Sequence, residues 1–443
     1  MLASATFEDP KSLPFALPKG IDEVDAAWMS ALLQHRGVLP AGVSVASIEK
    51  KDVGMTAGYF SSIAKIECTF SAPVPVGTPT KFVAKAWPPF ELLPKEAIGN
   101  MFVNDIKGYS EYPADEFYPR PRAFLASYDV DENLYALVME DATEIAEQKV
   151  HENELTLEET KRMLPKMAKL AAMYEDCHTE ASPMHERCAY LPLWAQAENL
   201  GIYFGEEGKP FSDGMGLHDE LMAKHAIGGE WSKLEPSMEG YATLLGSKWE
   251  QFWARSHPEN GASVTISHGD LRGDNLFLTD SNDDGWLLID FQLMFKGPIP
   301  SDLAYLMSSG SVLPSVYNDG EEEVLRLFYE EFQKHTKAYT PDKYSFETFK
   351  AEYVMMCHVL FVYYNAMGAV YVQSGKADGK IDPAQPDAVV GPVGMAPELG
   401  SGAVKVSDLT PEDMRKRMWW AKFYANARDV FARNGGKAAL EAL

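Results

Sequence analysis

Between residues 45 and 140 apolar and polar positions alternate over short runs, whereas beyond residue 140 the apolar positions recur every third or fourth residue. In the first stretch Ala64, Ile66, Cys68 and Phe70 alternate with Lys65, Glu67 and Thr69, the period of two expected of a strand with one buried face. A turn-rich segment over 71–80 leads into 81–87, where Val83, Lys85 and Trp87 share a face. The pattern then predicts a helix over 95–109 and a hairpin of two strands, 123–128 and 134–139, around a turn at 129–133. Upstream, 22–35 has a helical pattern and is expected to pack on this strand-rich part.

In the second stretch Thr156-Leu157-Glu158-Glu159 has the form of a capping box. It opens a helix whose Met163, Met167, Leu170, Ala171 and Tyr174 fall on one face. Near the end of the chain, Thr410-Pro411-Glu412-Asp413 combines an N-cap, a proline at the first helical position and acids at the positive end of the helix dipole. That helix is expected to stop at Asn434-Gly435, and the Gly- and Pro-rich 375–407 reads as a long surface loop. The change of period divides the chain into a partly helical leader over 1–44, a strand-rich lobe with one helix over 45–141, and a helical lobe over 142–443. A chain of 443 residues is too long for one compact core and suits two lobes of an α+β fold.

Charge narrows the partners. A formal net charge of -25 would repel nucleic acid and a bare anionic membrane surface at long range, and it would favour encounter with a neutral or cationic substrate. The four cysteines are scattered, and residues 1–10 lack the basic and apolar regions of a secretory signal, so a cytoplasmic setting is expected. The apolar stretch 353–372 approaches the length of a membrane span, but His358, Asn365 and several tyrosines mark it as a buried helix of the larger lobe.

The chemistry concentrates in His268-Gly269-Asp270-Leu271-Arg272-Gly273-Asp274-Asn275 and, a short hairpin later, Asp290-Phe291-Gln292. An H-x-D-x-x-x-x-N element ahead of a D-F-x element has the spacing of kinase catalytic and metal-binding loops. With 280–285 as the turn, Thr279 faces Trp286, and counting back sets Asn275 opposite Asp290. An amide oxygen and a carboxylate on adjacent strand ends suit Mg²⁺, with phosphate and water completing its shell. Asp270, five residues before that amide, is placed either to accept a proton from a substrate hydroxyl or to orient it.

The strand-rich lobe carries the complementary candidates. Gly54, Gly58 and Ser61 lie in a turn between two strand signals that would cover phosphates, and the turn lacks the G-K-[ST] ending of a Walker A loop. Phe82-Val83-Ala84-Lys85 resembles the V-A-I-K strand of kinases. Its lysine, set among apolar neighbours, calls for an anionic partner, either phosphate oxygens or Asp105 on the following helix. Met139, Glu140 and Asp141, where strands give way to helices, form the candidate hinge whose backbone meets adenine.

These runs, together with Gly297 and Asp302-Leu303-Ala304, resemble the aminoglycoside phosphotransferase and choline kinase superfamily, and the Gln after Asp-Phe is most similar to its ecdysteroid-kinase-like branch. The resemblance implies a two-lobed, protein-kinase-like fold and ATP-dependent transfer of the γ-phosphate to a hydroxyl of a small molecule. It further implies Asp270 as catalytic base, Asn275 and Asp290 on Mg²⁺, Lys85 on the α- and β-phosphates, and Asp302 as anchor of the catalytic loop. Where this chain has Asp105 the family usually has Glu, an arm one methylene longer. Two alternatives share the fold: a catalytically silent nucleotide-binding pseudokinase, against which the joint presence of Lys85, Asp270, Asn275 and Asp290 speaks, and a protein kinase, disfavoured by Gly269 and Gln292.

Overall fold

In the computed structural model, which describes residues 4–52, 61–87, 95–149, 153–194, 241–360, 430 and 432–441, the alternating positions of the first stretch become one antiparallel sheet. Its strands are β1 Val45–Asp52, β2 Ser62–Phe70, β3 Lys81–Ala86, β4 Ala123–Asp129 and β5 Leu134–Glu140, in the order β1-β2-β3-β5-β4. Ile66 pairs with Phe82 and Ala64 with Ala84, so both strands turn the same face into a core shared with Met29, Leu32 and Leu33. Those three residues belong to helix α1, Ala26–His35. The opposite face receives α2, Lys95–Ser110, where Phe102 stacks on Tyr135 of β5 at 4.1 Å between ring centroids.

The leader runs along β4, with the Ala5 and Glu8 amides donating to the Ala123 and Ala126 carbonyls at 2.8 and 3.1 Å. Its helix starts at Ala26 rather than at residue 22. The Asp25 carboxylate accepts from the Trp28 amide at 2.8 Å and caps it there, while Ile21–Glu23 makes a separate 3-10 turn.

The chain divides into two units, one combining Met1–Gln148 with Leu276–Leu293, the other combining Lys149–Asn275 with Met294–Leu443. The first unit thus takes in a ribbon that the period change had grouped with 142–443. In it β6, Glu147–Gln148, pairs with β8, Leu276–Leu278, and β8 with β9, Trp286–Leu288. The ribbon is held there because Trp286 is buried with its ring edge-on to Tyr118, and because the Leu288 amide donates to the Pro119 carbonyl at 2.7 Å. Its register corrects the expected one. Leu278, not Thr279, pairs with Trp286, so the count that faces Asn275 with Asp290 is one residue out. Gly285, at φ +79°, enters the ribbon opposite Thr279, and the Asn282 side chain closes the shortened turn by accepting from the Gly285 amide at 2.6 Å.

The second unit is mainly helical where it is described. Its helices include α3 Leu157–Met173, α4 Tyr241–Ala254, α5 Ser301–Ser308 and α6 Glu321–Gln333, and α6 packs along α3. The capping box of α3 forms in both directions, Thr156 to the Glu159 amide and Glu159 to the Thr156 amide. A short ladder of β7, Thr265–Ser267, and β10, Phe295–Gly297, leads into the loop that begins at His268. The fold is α+β, as the pattern predicts. Gly435, at φ +96°, stands at the expected helix stop, whereas 375–407 and the N-cap at Thr410 lie outside the described residues. Among the described residues no helix is long and apolar enough to cross a membrane.

Phe82 is fully buried and edge-on to Phe124 at 5.1 Å. Phe82→Ala should cost about 3–5 kcal/mol, read as a lower denaturant midpoint at unchanged slope.

Candidate active site

Because β3 commits Phe82, Ala84 and Ala86 to the core, strand alternation aims Lys85 at the opposite face, under α2. There its Nζ lies 2.9 Å from Asp105 Oδ2 and 2.7 Å from Asp290 Oδ1. Asp105 also accepts from the Tyr135 hydroxyl at 2.8 Å on Oδ2 and from the Phe291 amide at 2.9 Å on Oδ1. One carboxylate therefore ties β3, β5, α2 and the Asp290-Phe291 turn together, and the shorter arm of aspartate is sufficient for the ion pair. Burial alone would push the Lys85 ammonium toward neutrality, but Asp105 and Asp290 outweigh it and hold its pKa above the ordinary lysine value. The Tyr135 phenol, buried beside Asp105, is pushed well above its usual range and stays a donor.

Asp290 sits at φ +72°, a left-handed conformation rare for a residue with a side chain. Gln292 supports it, its Nε2 donating to Asp290 Oδ2 at 3.3 Å. Phe291 then packs against α2 at Gly108, where an added Cβ would come within 2.5 Å of the Phe291 Cβ. Tyr135 and Gly108 are functional neighbours that sequence reasoning missed. The signal for the second was available, since a glycine inside a helical pattern usually has a packing reason.

The remaining candidates of this unit divide. Gly54 and Gly58 lie outside the described residues, and Ser61 is buried just ahead of β2. Met139 lies in β5, paired with Val83 and Ala123. The Glu140 and Asp141 amides donate to the Arg122 and Lys81 carbonyls at 2.9 and 3.4 Å, so both are engaged within the sheet. The Asp141 carboxylate pairs with Lys65 at 2.9 Å and accepts from the Thr143 amide at 3.1 Å. Burial would raise its pKa, but these bonds with Thr143 and Lys65 prevail and hold it below the ordinary 3.8. Ala142, Phe277 and Leu287 form a small buried apolar cluster with Ala146 and Ile289 packed on it, between the segment after β5 and the ribbon.

In the second unit the His268 and Gly269 amides both donate to the Asp302 carboxylate, at 2.9 and 3.1 Å, and Gly269 takes φ +81°. Asp302 thus anchors the loop as the resemblance implies. Asp270 receives the Tyr305 hydroxyl on Oδ1 at 2.5 Å, Asn275 Nδ2 on Oδ2 at 2.9 Å, and Arg272 Nε at 3.1–3.2 Å. Arg272 also pairs with Asp274 at 2.9 Å. Gly273 lies so close to the Lys149 carbonyl that an added Cβ would be 2.3 Å from its oxygen.

Asn275 directs its amide NH₂ onto Asp270, to the backbone oxygen and to Oδ2, both at 2.9 Å, which leaves Oδ1 as its accepting atom. The Asn275 amide oxygen and, in the first unit, the part-exposed Asp290 carboxylate are each hard donors of the kind Mg²⁺ takes. Among the described residues no group of three or more His, Cys, Asp or Glu could hold a metal ion, and Mg²⁺ bound through substrate phosphates needs no such cage.

The profile of the ecdysteroid kinase-like family matches residues 88–340, more than half of the chain. The chain belongs to the ecdysteroid kinase-like family. The span matched by the ecdysteroid kinase-like profile contains Asp105, Asp270, Asn275 and Asp290, and begins three residues after Lys85. No curated protein matches the chain. Among solved structures it is similar to an ethanolamine kinase of Plasmodium vivax (12% identity, TM-score 0.39, covering 77% of this chain and 82% of that one). It is also similar to the GDP complex of aminoglycoside 2'-phosphotransferase-IIIa (12%, 0.43, 85% and 98%). A third is choline kinase LicA of Streptococcus pneumoniae (11%, 0.40, 88% and 94%).

Two outcomes follow for this ecdysteroid kinase-like chain. Gly108→Ala should destabilise it by about 1–3 kcal/mol, whereas Gly99→Ala on the same helix, with nothing within 4 Å, should leave it unchanged or slightly more stable; paired denaturant melts compare them. Because the folded pKa of Asp141 is depressed, its stabilisation is complete above the ordinary 3.8 and is lost as pH falls through the depressed value. Asp141→Asn should therefore lower the melting temperature at neutral pH, and the gap from the native chain should close as the pH is taken below 3.8.

Proposed function

We propose that this chain is an ATP-dependent phosphotransferase that moves the γ-phosphate to a hydroxyl of a small molecule. The observation that carries this reading is the use Asn275 makes of its amide: the NH₂ braces Asp270 and the oxygen is left to accept, so one loop presents both a hydroxyl-orienting carboxylate and a hard metal donor. Phosphoryl transfer asks a protein mainly to position groups and neutralise charge, and little beyond that loop and a buried cation is needed.

In this reading Asp270 orients the acceptor hydroxyl and takes its proton. Asn275 and Asp290 hold Mg²⁺, which when bound neutralises charge on the transferring phosphate. Lys85, kept charged by Asp105, has an ammonium hydrogen beyond those on Asp105 and Asp290 to offer the α- and β-phosphates. The turn of Gly54, Gly58 and Ser61 covers the phosphates. The segment Met139 to Asp141 borders the base, and the apolar cluster of Ala142, Phe277 and Leu287 gives a planar ring a surface to lie on. Four free, buried cysteines support a cytoplasmic setting.

The test is ATP consumption, with Mg²⁺, against a panel of hydroxylated metabolites. Asp270→Asn and Asp290→Asn should each lower kcat by about 10²- to 10⁴-fold, and removal of divalent cations by chelation should abolish turnover. Variants that turn over like the native chain would sink the mechanism, and tight ATP binding with no transfer would assign the chain to the pseudokinases.

A further inference from the structure

Helix α5, Ser301–Ser308, is buried along its whole length, which makes it a rigid platform beside the catalytic loop. Two of its residues, Asp302 and Tyr305, stand three apart and so lie on one face. Asp302 holds the backbone of the loop through the His268 and Gly269 amides, and the Tyr305 hydroxyl reaches Asp270 Oδ1 at 2.5 Å. The other donors to that carboxylate among the described residues, Arg272 and Asn275, come from the loop itself. Among the described residues, Tyr305 is the donor that ties the carboxylate to an element outside 268–275.

We propose that Tyr305 is a positioning residue for phosphoryl transfer, its hydroxyl fixing the rotamer of Asp270 so that the carboxylate meets the acceptor oxygen in line. The proposal rests on the reading of Asp270 given above. A carboxylate held only by its own loop can swing about its side-chain torsions, and a misplacement of about 1 Å at a reacting group costs on the order of 10²-fold in rate. A hydroxyl from a buried helix removes that freedom. Tyr305 is itself 7% exposed, so its ring is set by packing and the hydroxyl has little room to wander.

The experiment is a double-mutant cycle on the full chain, with ATP and Mg²⁺ and with water as the acceptor, read as phosphate release. Tyr305→Phe keeps the buried ring and removes only the hydroxyl. It should lower kcat by about 10- to 100-fold while KM for ATP stays within about twofold. In an Asp270→Asn background the same substitution should change kcat by less than about twofold, because no carboxylate remains to be positioned. Three results would overturn the proposal: native kcat in Tyr305→Phe, a rise in KM at unchanged kcat, or additive losses in the double variant. Failure of the underlying reading looks different. It would show as an Asp270→Asn chain that releases phosphate at the native rate, or a native chain that consumes no ATP, and either result removes this proposal as well.

Discussion

Taking a lysine ammonium out of water costs several kcal/mol, and the cost is recovered only if the charge finds opposite charge and hydrogen bonds at close range. Lys85 is 4% exposed, and it meets Asp105 and Asp290 within 2.9 Å. The position of α2 over the sheet, the left-handed backbone at Asp290 and the direction of the Tyr135 hydroxyl all serve that one ammonium. Asp105 is the centre of the arrangement, because it satisfies the lysine, a phenol and a backbone amide at once. Removing it would strand all three in a site from which water is excluded, which is far costlier than losing a surface pair.

The second unit solves a related problem with the signs reversed. Asp270 and Asp302 are both buried carboxylates, and both are satisfied by several donors rather than by one cation. Asp302 takes amides and so fixes the course of the backbone, while Asp270 takes side-chain donors and so keeps the orientation of its own oxygens. The division suits the tasks that the proposed function gives them: an anchor can be saturated with backbone donors, whereas a carboxylate that is to meet a hydroxyl needs partners that hold it and still leave a lone pair free.

What the sequence makes legible follows from which signals are local. The period of two over 64–70 and the capping box at Thr156 are properties of neighbouring residues, and both appear where the pattern puts them. The spacing from His268 to Asn275 and on to Asp290 likewise marks the two candidate loops, because these motifs are short stretches of chain. The register of the ribbon is less legible. It turns on whether Gly285 counts as turn or strand, and a left-handed glycine paired opposite Thr279 is strand by pairing and turn by conformation. Tyr305 and Tyr135 are missed for a different reason. A tyrosine on an apolar helix or strand reads as core, and only tertiary structure tells where its hydroxyl finds an acceptor.

The aspartate at 105, where the family usually has glutamate, shows how a local change is absorbed by packing. A carboxylate one methylene shorter has less reach, and here it meets Lys85 at 2.9 Å with α2 packed close on the sheet. Two features of α2 permit that approach. Phe102 and Tyr135 lie flat against each other at 4.1 Å, which allows a helix and a strand to come together without interlocking bulk. Gly108, six residues after Phe102, has no Cβ to collide with Phe291, whose amide is the third group that Asp105 holds. The contact of α2 with the Asp290 turn therefore involves residues 105 and 108 together, because Asp105 holds the Phe291 amide and Gly108 leaves room for the Phe291 side chain.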